Sequence, residues 1–172
     1  MANPSEPEVE ALGNFLAEFN RESDRGAALT AAAVLDDRLT DILAAFFADT
    51  PSAKELLSGF NAPLSSLASR AAAAHALGLI QDNELKEITL IRKIRNEFGH
   101  SWQGVSFTSG RVADLCNQLP WLGPAEHEAT STPRGRLNAA IAILLMDLLW
   151  RARMVGQERR AVRVWPNKSR RG

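Results

Sequence analysis

With one cysteine, three histidines and a formal net charge of zero in 172 residues, the chain is short of the groups on which several function classes depend. Cys116 alone cannot form an internal disulfide, and there is no paired-cysteine motif for zinc or thiol exchange. Next to Leu115 it reads as a small core residue. The longest apolar run, Ala139 to Met146, falls far short of the roughly 20 residues that cross a bilayer, and Asp147 interrupts its continuation. The acidic start, Glu6, Glu8 and Glu10, is the opposite of a secretory signal peptide, so a cytoplasmic protein with no membrane segment is expected. There is no Gly-rich phosphate loop, no His-Glu-x-x-His and no serine elbow of a hydrolase. His127 lies in a polar loop between Glu126 and Glu128, but one histidine with two flexible neighbours does not define a metal site. No cofactor and no metal are expected.

Composition places the chain among single globular domains: 45% of residues are hydrophobic and 23% charged, enough for a sizeable core. The zero net charge hides an asymmetry. Residues 1–60 carry eleven Asp or Glu against four Lys or Arg, whereas residues 151–172 carry eight Lys or Arg against one Glu. Arg159, Arg160, Arg163, Lys168, Arg170 and Arg171 could form a phosphate-contacting arm for nucleic acid. The other reading is a solvated C-terminus with Trp165 tucked against the body.

What is present reads as helix after helix. Val9, Leu12, Leu16 and Phe19 form a first stripe at three- and four-residue spacing, with Asn3 or Ser5 available as its cap and an end near Glu22. Leu29, Ala32, Leu35, Leu39, Ile42, Leu43 and Phe46 form a longer one that begins near Ser23 and stops before Pro51. Residues 52–57 have room for one or two turns, after which Gly59, Asn61 and Pro63 signal a loop. A further helix is expected from about Leu64, carried by Ala71, Ala72, Ala73 and Ala74 and ended by Gly78. Asp82 or Asn83 then caps the next one. Val105, Phe107 and Thr108 alternate too briefly for a sheet, and residues 109–119 read as a short helix stopped by Pro120. Thr132, with Pro133 at the first helical position, opens the last helix. Leu137, Ile141, Leu144, Leu145 and Leu148 line its core side, and Leu149 and Trp150 widen that face as in a central helix or a subunit interface. The prediction is an all-α, single-domain bundle of about five to seven helices. Residues 1–150 form the bundle, and 151–172 the end of the last helix and the basic tail.

The turn at residues 79–82 invites a helix-turn-helix reading, because Ala74 and Gly78 have the spacing of the Ala and Gly in such units. The next landmark fails. An apolar residue is needed six after the Gly, where Glu84 stands, and a recognition helix beginning Asp82, Asn83, Glu84 has no basic face for DNA.

The remaining stretch, Leu90 to Ser101, organises the chain. Leu85, Ile88, Ile91, Ile94 and Phe98 make an apolar stripe, and Gly99 is expected to end the helix. On a helical wheel Arg95 falls about 40° from Ile91, inside the stripe, so it needs a carboxylate, a phosphate or a subunit interface. Asp36 and Asp37 are candidates to pair with Arg95 or Arg92, with solvated surface as their other reading. A chain reversal at Gly99 would bring His100 back toward Arg95.

Arg95-Asn96-Glu97-Phe98-Gly99-His100 has the form of the R-x4-H motif of HEPN domains, all-helical and often dimeric, many of them metal-independent ribonucleases. More closely, residues 24–107 resemble the mannitol operon repressor (MltR) family. Three blocks carry the resemblance: Asp24 to Leu29, His75 to Ile80, and Ile91 to His100. The bare spacing is weak, since 16 Arg and 3 His in 172 residues make about 0.28 such pairs by chance. Arg70 and His75 repeat it with only alanines between, and that pair reads as structural.

The closer resemblance implies a cytoplasmic transcriptional regulator that represses a sugar-alcohol operon through association with a regulatory protein partner, while the wide apolar arc of the last helix, and the HEPN resemblance with it, point to a homodimer. The alternative it leaves open is a metal-independent endoribonuclease. His100 would exchange protons, Arg95 would stabilise charge on the phosphorus-centred transition state and Asn96 would orient either. A purely structural role for the three stands beside both: Arg95 paired with a carboxylate, Asn96 as a cap, and His100 on the last helical carbonyls.

Overall fold

Ser23, Thr50, Ser66 and Thr132 each stand one residue before a helix, and each side-chain oxygen accepts the backbone N–H three residues on. Those caps satisfy donors that a helix start otherwise leaves orphaned, so four boundaries are set by local chemistry. The computed structural model describes residues 6–100 and 104–166. Its helices are α1 (Pro7–Phe19), α2 (Asp24–Phe46), α3 (Pro51–Leu57), α4 (Leu67–Ala76), α5 (Asp82–His100), α6 (Gly110–Asn117), α7 (Pro133–Asp147) and α8 (Arg151–Gly156). A single 3-10 turn, Ala125–His127, lies between α6 and α7. The fold is all-α, with no strand among the described residues. Counting α7 and α8 as one helix interrupted at residues 148–150, the described residues form seven α-helices.

The 23-residue α2 is the axis of the bundle and packs against α4, α5 and α8. Its first half buries only Ala27, Ala28, Ala31 and Ala32, which lets neighbours approach closely; its second half buries Leu35, Leu39, Ile42, Leu43 and Phe46. Leu137, Ile141, Leu144, Leu145, Leu148 and Leu149 are buried too, so most of the broad apolar arc of α7 is consumed inside the molecule. No helix among the described residues is long and apolar enough to cross a membrane.

Arg134 locks α7 to the turn between α1 and α2. Its Nη2 donates to the carbonyls of Phe19 (3.1 Å) and Glu22 (3.2 Å), its Nη1 to that of Ser23 (3.3 Å), and its guanidinium lies over the rings of Phe19 and Phe107. The segment with brief strand-like alternation is a loop instead. Phe107 is buried against Phe98, with ring centroids 5.1 Å apart, and its N–H donates to Asp24 Oδ2.

The inner face of α5 differs from expectation in one respect. Ile88, Ile91, Ile94 and Phe98 are buried, but Leu85 is only half-buried and two carboxylates, Glu84 and Glu87, take the deep positions of the first turns. Glu84, 2% exposed, is gripped bidentately by Arg151 of α8 (2.7 and 3.1 Å), and it also accepts the N–H of Gln81, the residue before α5. The position that denies a helix-turn-helix its apolar contact is thus the anchor of α8.

Glu87 is 5% exposed, and burial pushes its carboxyl above the usual range, reinforced by Asp147 and Glu84 and opposed by a hydrogen bond from Asn83. Its folded-state value is raised, so the folded protein binds this proton more tightly than the unfolded chain does. Its contribution is therefore lost as pH rises through that raised value. Glu87→Gln is accordingly expected to raise the melting temperature at neutral pH, with the gain shrinking as the pH falls toward 4.5, the ordinary value for a glutamate. Thermal unfolding of both proteins across that range checks it, and a variant less stable at neutral pH would contradict it.

Candidate functional site

Helix α5 does not stop at Gly99. It runs on through His100, and Gly99 keeps helical backbone, whereas Gly78, at φ +71°, is the glycine that does end a helix, α4. The expected chain reversal between Arg95 and His100 is therefore absent. Five residues of continuous helix separate them by about 140° around the axis, and the two side chains line different depressions. His100 is exposed in one shared with Lys93, Glu97, Arg111 and Asp114, where Arg111 is bonded to Glu97 at 2.6 Å. Asn96 borders both.

Arg95 is exposed rather than inside the core stripe. The cause is local: the start of α4 does not close over this end of α5, leaving a depression of about 590 Å³ bordered by Leu29, Ala33 and Asp36 of α2, Ser65 and Ser66, and Arg92, Arg95 and Asn96. Arg95 Nη1 donates to Asn96 Oδ1 at 3.2 Å, and Asn96 is not a helix cap. Neither Asp36 nor Asp37 meets Arg92 or Arg95. Asp36 is ion-paired to Arg70, whose Nη2 also donates to the carbonyl of Leu57 at 3.0 Å, and Asp37 is exposed. His75 pairs with Asp82 at 2.7 Å. Both members of the second R-x4-H pair are thus held in ion pairs, and Arg70 takes the carboxylate expected to serve the first. Among the described residues Arg92 and Arg95 have no carboxylate partner.

The start of the basic tail is tied to the body. Arg160 donates its N–H to the carbonyl of Phe46 (2.8 Å) and lays its guanidinium 5.0 Å from that ring's centroid, while Arg159 Nη2 reaches the carbonyl of Ala44 (3.4 Å). Both cations sit at the C-terminus of α2, where the helix dipole favours them. Trp165 is 60% exposed and not tucked in. Lys168, Arg170 and Arg171 lie outside the described residues.

Two features were missed in the sequence. Arg151, counted with the tail, is the partner of Glu84, and Arg134 is the clasp of the α1–α2 turn. Glu84 and Glu87 fall at helical spacing with Ile91 and Ile94, and that register was the signal for the first. Among the described residues no group of three or more His, Cys, Asp or Glu is placed to hold a metal ion. Cys116 is buried, and burial pushes its thiol up to about 12, which keeps it protonated and unreactive at neutral pH.

No protein-family model matches the chain, and a search of curated proteins gives no match. Among solved structures, a chain in the X-ray structure of the MtlR-HPr complex from Escherichia coli has the same fold, with a TM-score of 0.56 and 21% sequence identity. The match covers 82% of this chain and 97% of that one.

Proposed function

We propose that this chain is a cytoplasmic transcriptional regulator of the mannitol operon repressor type that acts through protein-protein association, with an HPr-like protein as its partner. The observation that carries the reading is the shared fold, which extends over nearly the whole of a chain solved in an MtlR-HPr complex. The three blocks that resemble the mannitol operon repressor family, Asp24 to Leu29, His75 to Ile80 and Ile91 to His100, lie on α2, the α4–α5 turn and α5. The motif's geometry favours association over catalysis. Arg95 and His100 diverge on one unbroken helix, so a single chain does not bring a proton-transfer group and a charge-stabilising group to one phosphate.

Self-association as a two-fold dimer belongs to the same proposal. Met146, Trp150 and Met154 remain exposed around the α7–α8 join, and exposed apolar side chains of this size are what a subunit contact would cover.

Two measurements test the proposal. Single-stranded RNA incubated with the protein in EDTA is expected to remain intact; cleavage that disappears in His100→Ala with the fold preserved would establish the nuclease instead. Sedimentation of the chain alone and mixed with HPr is expected to show a dimer and then a larger complex. A monomer at tens of micromolar that does not move with HPr would remove both associations.

A further inference from the structure

We infer that the depression between α2, α4 and α5 is a binding site for a phosphomonoester dianion, held by Arg92 and Arg95. The inference goes beyond the proposed partner, since the site is formed within one chain. Its volume of about 590 Å³ is that of a small-ligand pocket, typically about 300–1,000 Å³. Charge decides the ligand class. Of the ionised groups on its border, Asp36 is ion-paired to Arg70 through one oxygen, the other being buried without a hydrogen-bond partner, which leaves the guanidiniums of Arg92 and Arg95 with no carboxylate partner among the described residues. A phosphomonoester carries about −1.5 to −2 charges near pH 7, so it matches both, whereas a carboxylate would leave one unmatched.

The polar lining suits the same ligand. Asn96 turns its carbonyl oxygen to Arg95, which leaves the amide NH2 to donate, and Ser65 also borders the depression. Ser66 is already engaged with Ser69 in a reciprocal cap, so it contributes shape rather than a free donor. Leu29 and Ala33 give the α2 wall an apolar surface for the carbon part of an ester. The phosphoryl group could be free or borne on a protein side chain; the chemistry that recognises it is shared.

The test is a titration of the full-length protein followed by the NMR signals of the arginine Nε–H groups. Inorganic phosphate, phenyl phosphate and a phosphoserine tripeptide are the probes, each against potassium chloride at equal ionic strength. Saturable shifts of Arg92 and Arg95 are expected, weakening as the pH drops from 8 to 5 and the dianion is lost. Arg92→Gln and Arg95→Gln are each expected to weaken binding by about tenfold or more, the scale of a charge-assisted hydrogen bond, while Lys54→Gln, elsewhere on the surface, leaves it unchanged. Tighter binding of phenyl phosphate than of the tripeptide assigns a free ester, and the reverse assigns a phosphorylated side chain. Shifts that chloride reproduces, or binding that survives in the Arg92→Gln/Arg95→Gln double variant with its helical circular dichroism intact, would overturn the site.

Discussion

Replacing Arg151 by alanine is expected to destabilise the protein by about 3–5 kcal/mol, the range for breaking a buried ion pair from one side. The loss comes mostly from what is left behind. Glu84, 2% exposed, would be left buried with no guanidinium against it, and the carbonyl of Leu79 would lose the donor that reaches it at 2.8 Å. At this chain length each kcal/mol moves the melting temperature by roughly 2–4 °C. The sharper form is a double-mutant cycle. Glu84→Leu with Arg151→Met removes both charges and keeps apolar volume, and is expected to recover most of the loss, because burying the pair costs nearly what its attraction returns. If Arg151→Ala costs less than about 1 kcal/mol, the value of an exposed pair, then α8 is not anchored through Glu84.

Phe98→Ala is expected to cost about 3–5 kcal/mol, the scale for removing a buried phenyl ring. Phe98 is 1% exposed and meets Phe107, which in turn lies 5.3 Å from the guanidinium carbon of Arg134. One ring therefore supports the end of α5, the loop that follows it and the clasp on the α1–α2 turn. Because these groups are in contact, the losses from Phe98→Ala and Arg134→Ala are expected not to add, with a coupling of about 0.5–3 kcal/mol. Strict additivity in denaturant unfolding would separate the two clusters.

Elements with local signals are legible in the sequence. Ser23 and Thr132 cap helices because a hydroxyl one residue before the first turn has an orphan N–H within reach, and Gly78 ends α4 because glycine adopts positive φ without a Cβ clash. The end of α5 was not legible, because a glycine permits a helix stop without requiring one, and at Gly99 helical backbone prevails. Partner choice was harder still. Asp36 lies beside the core face of α2, within the apparent reach of α5, but Arg70 of α4 takes it. Which of two neighbouring helices supplies the cation depends on packing that no spacing records. Arg151 was obscured by its place in a basic stretch, although the carboxylate it serves keeps register with Ile91 and Ile94. As for the site, Arg95, Asn96 and His100 were singled out from the sequence, but their division between two depressions follows from helix continuity alone.

The central claim, action through a protein partner, is tested most directly by calorimetric titration of the purified full-length chain with HPr. The account predicts saturable binding at one HPr per chain with a dissociation constant in the micromolar range or tighter, about −8 kcal/mol or better. No detectable heat with HPr at several hundred micromolar, confirmed by no co-sedimentation at the same concentrations, would contradict it.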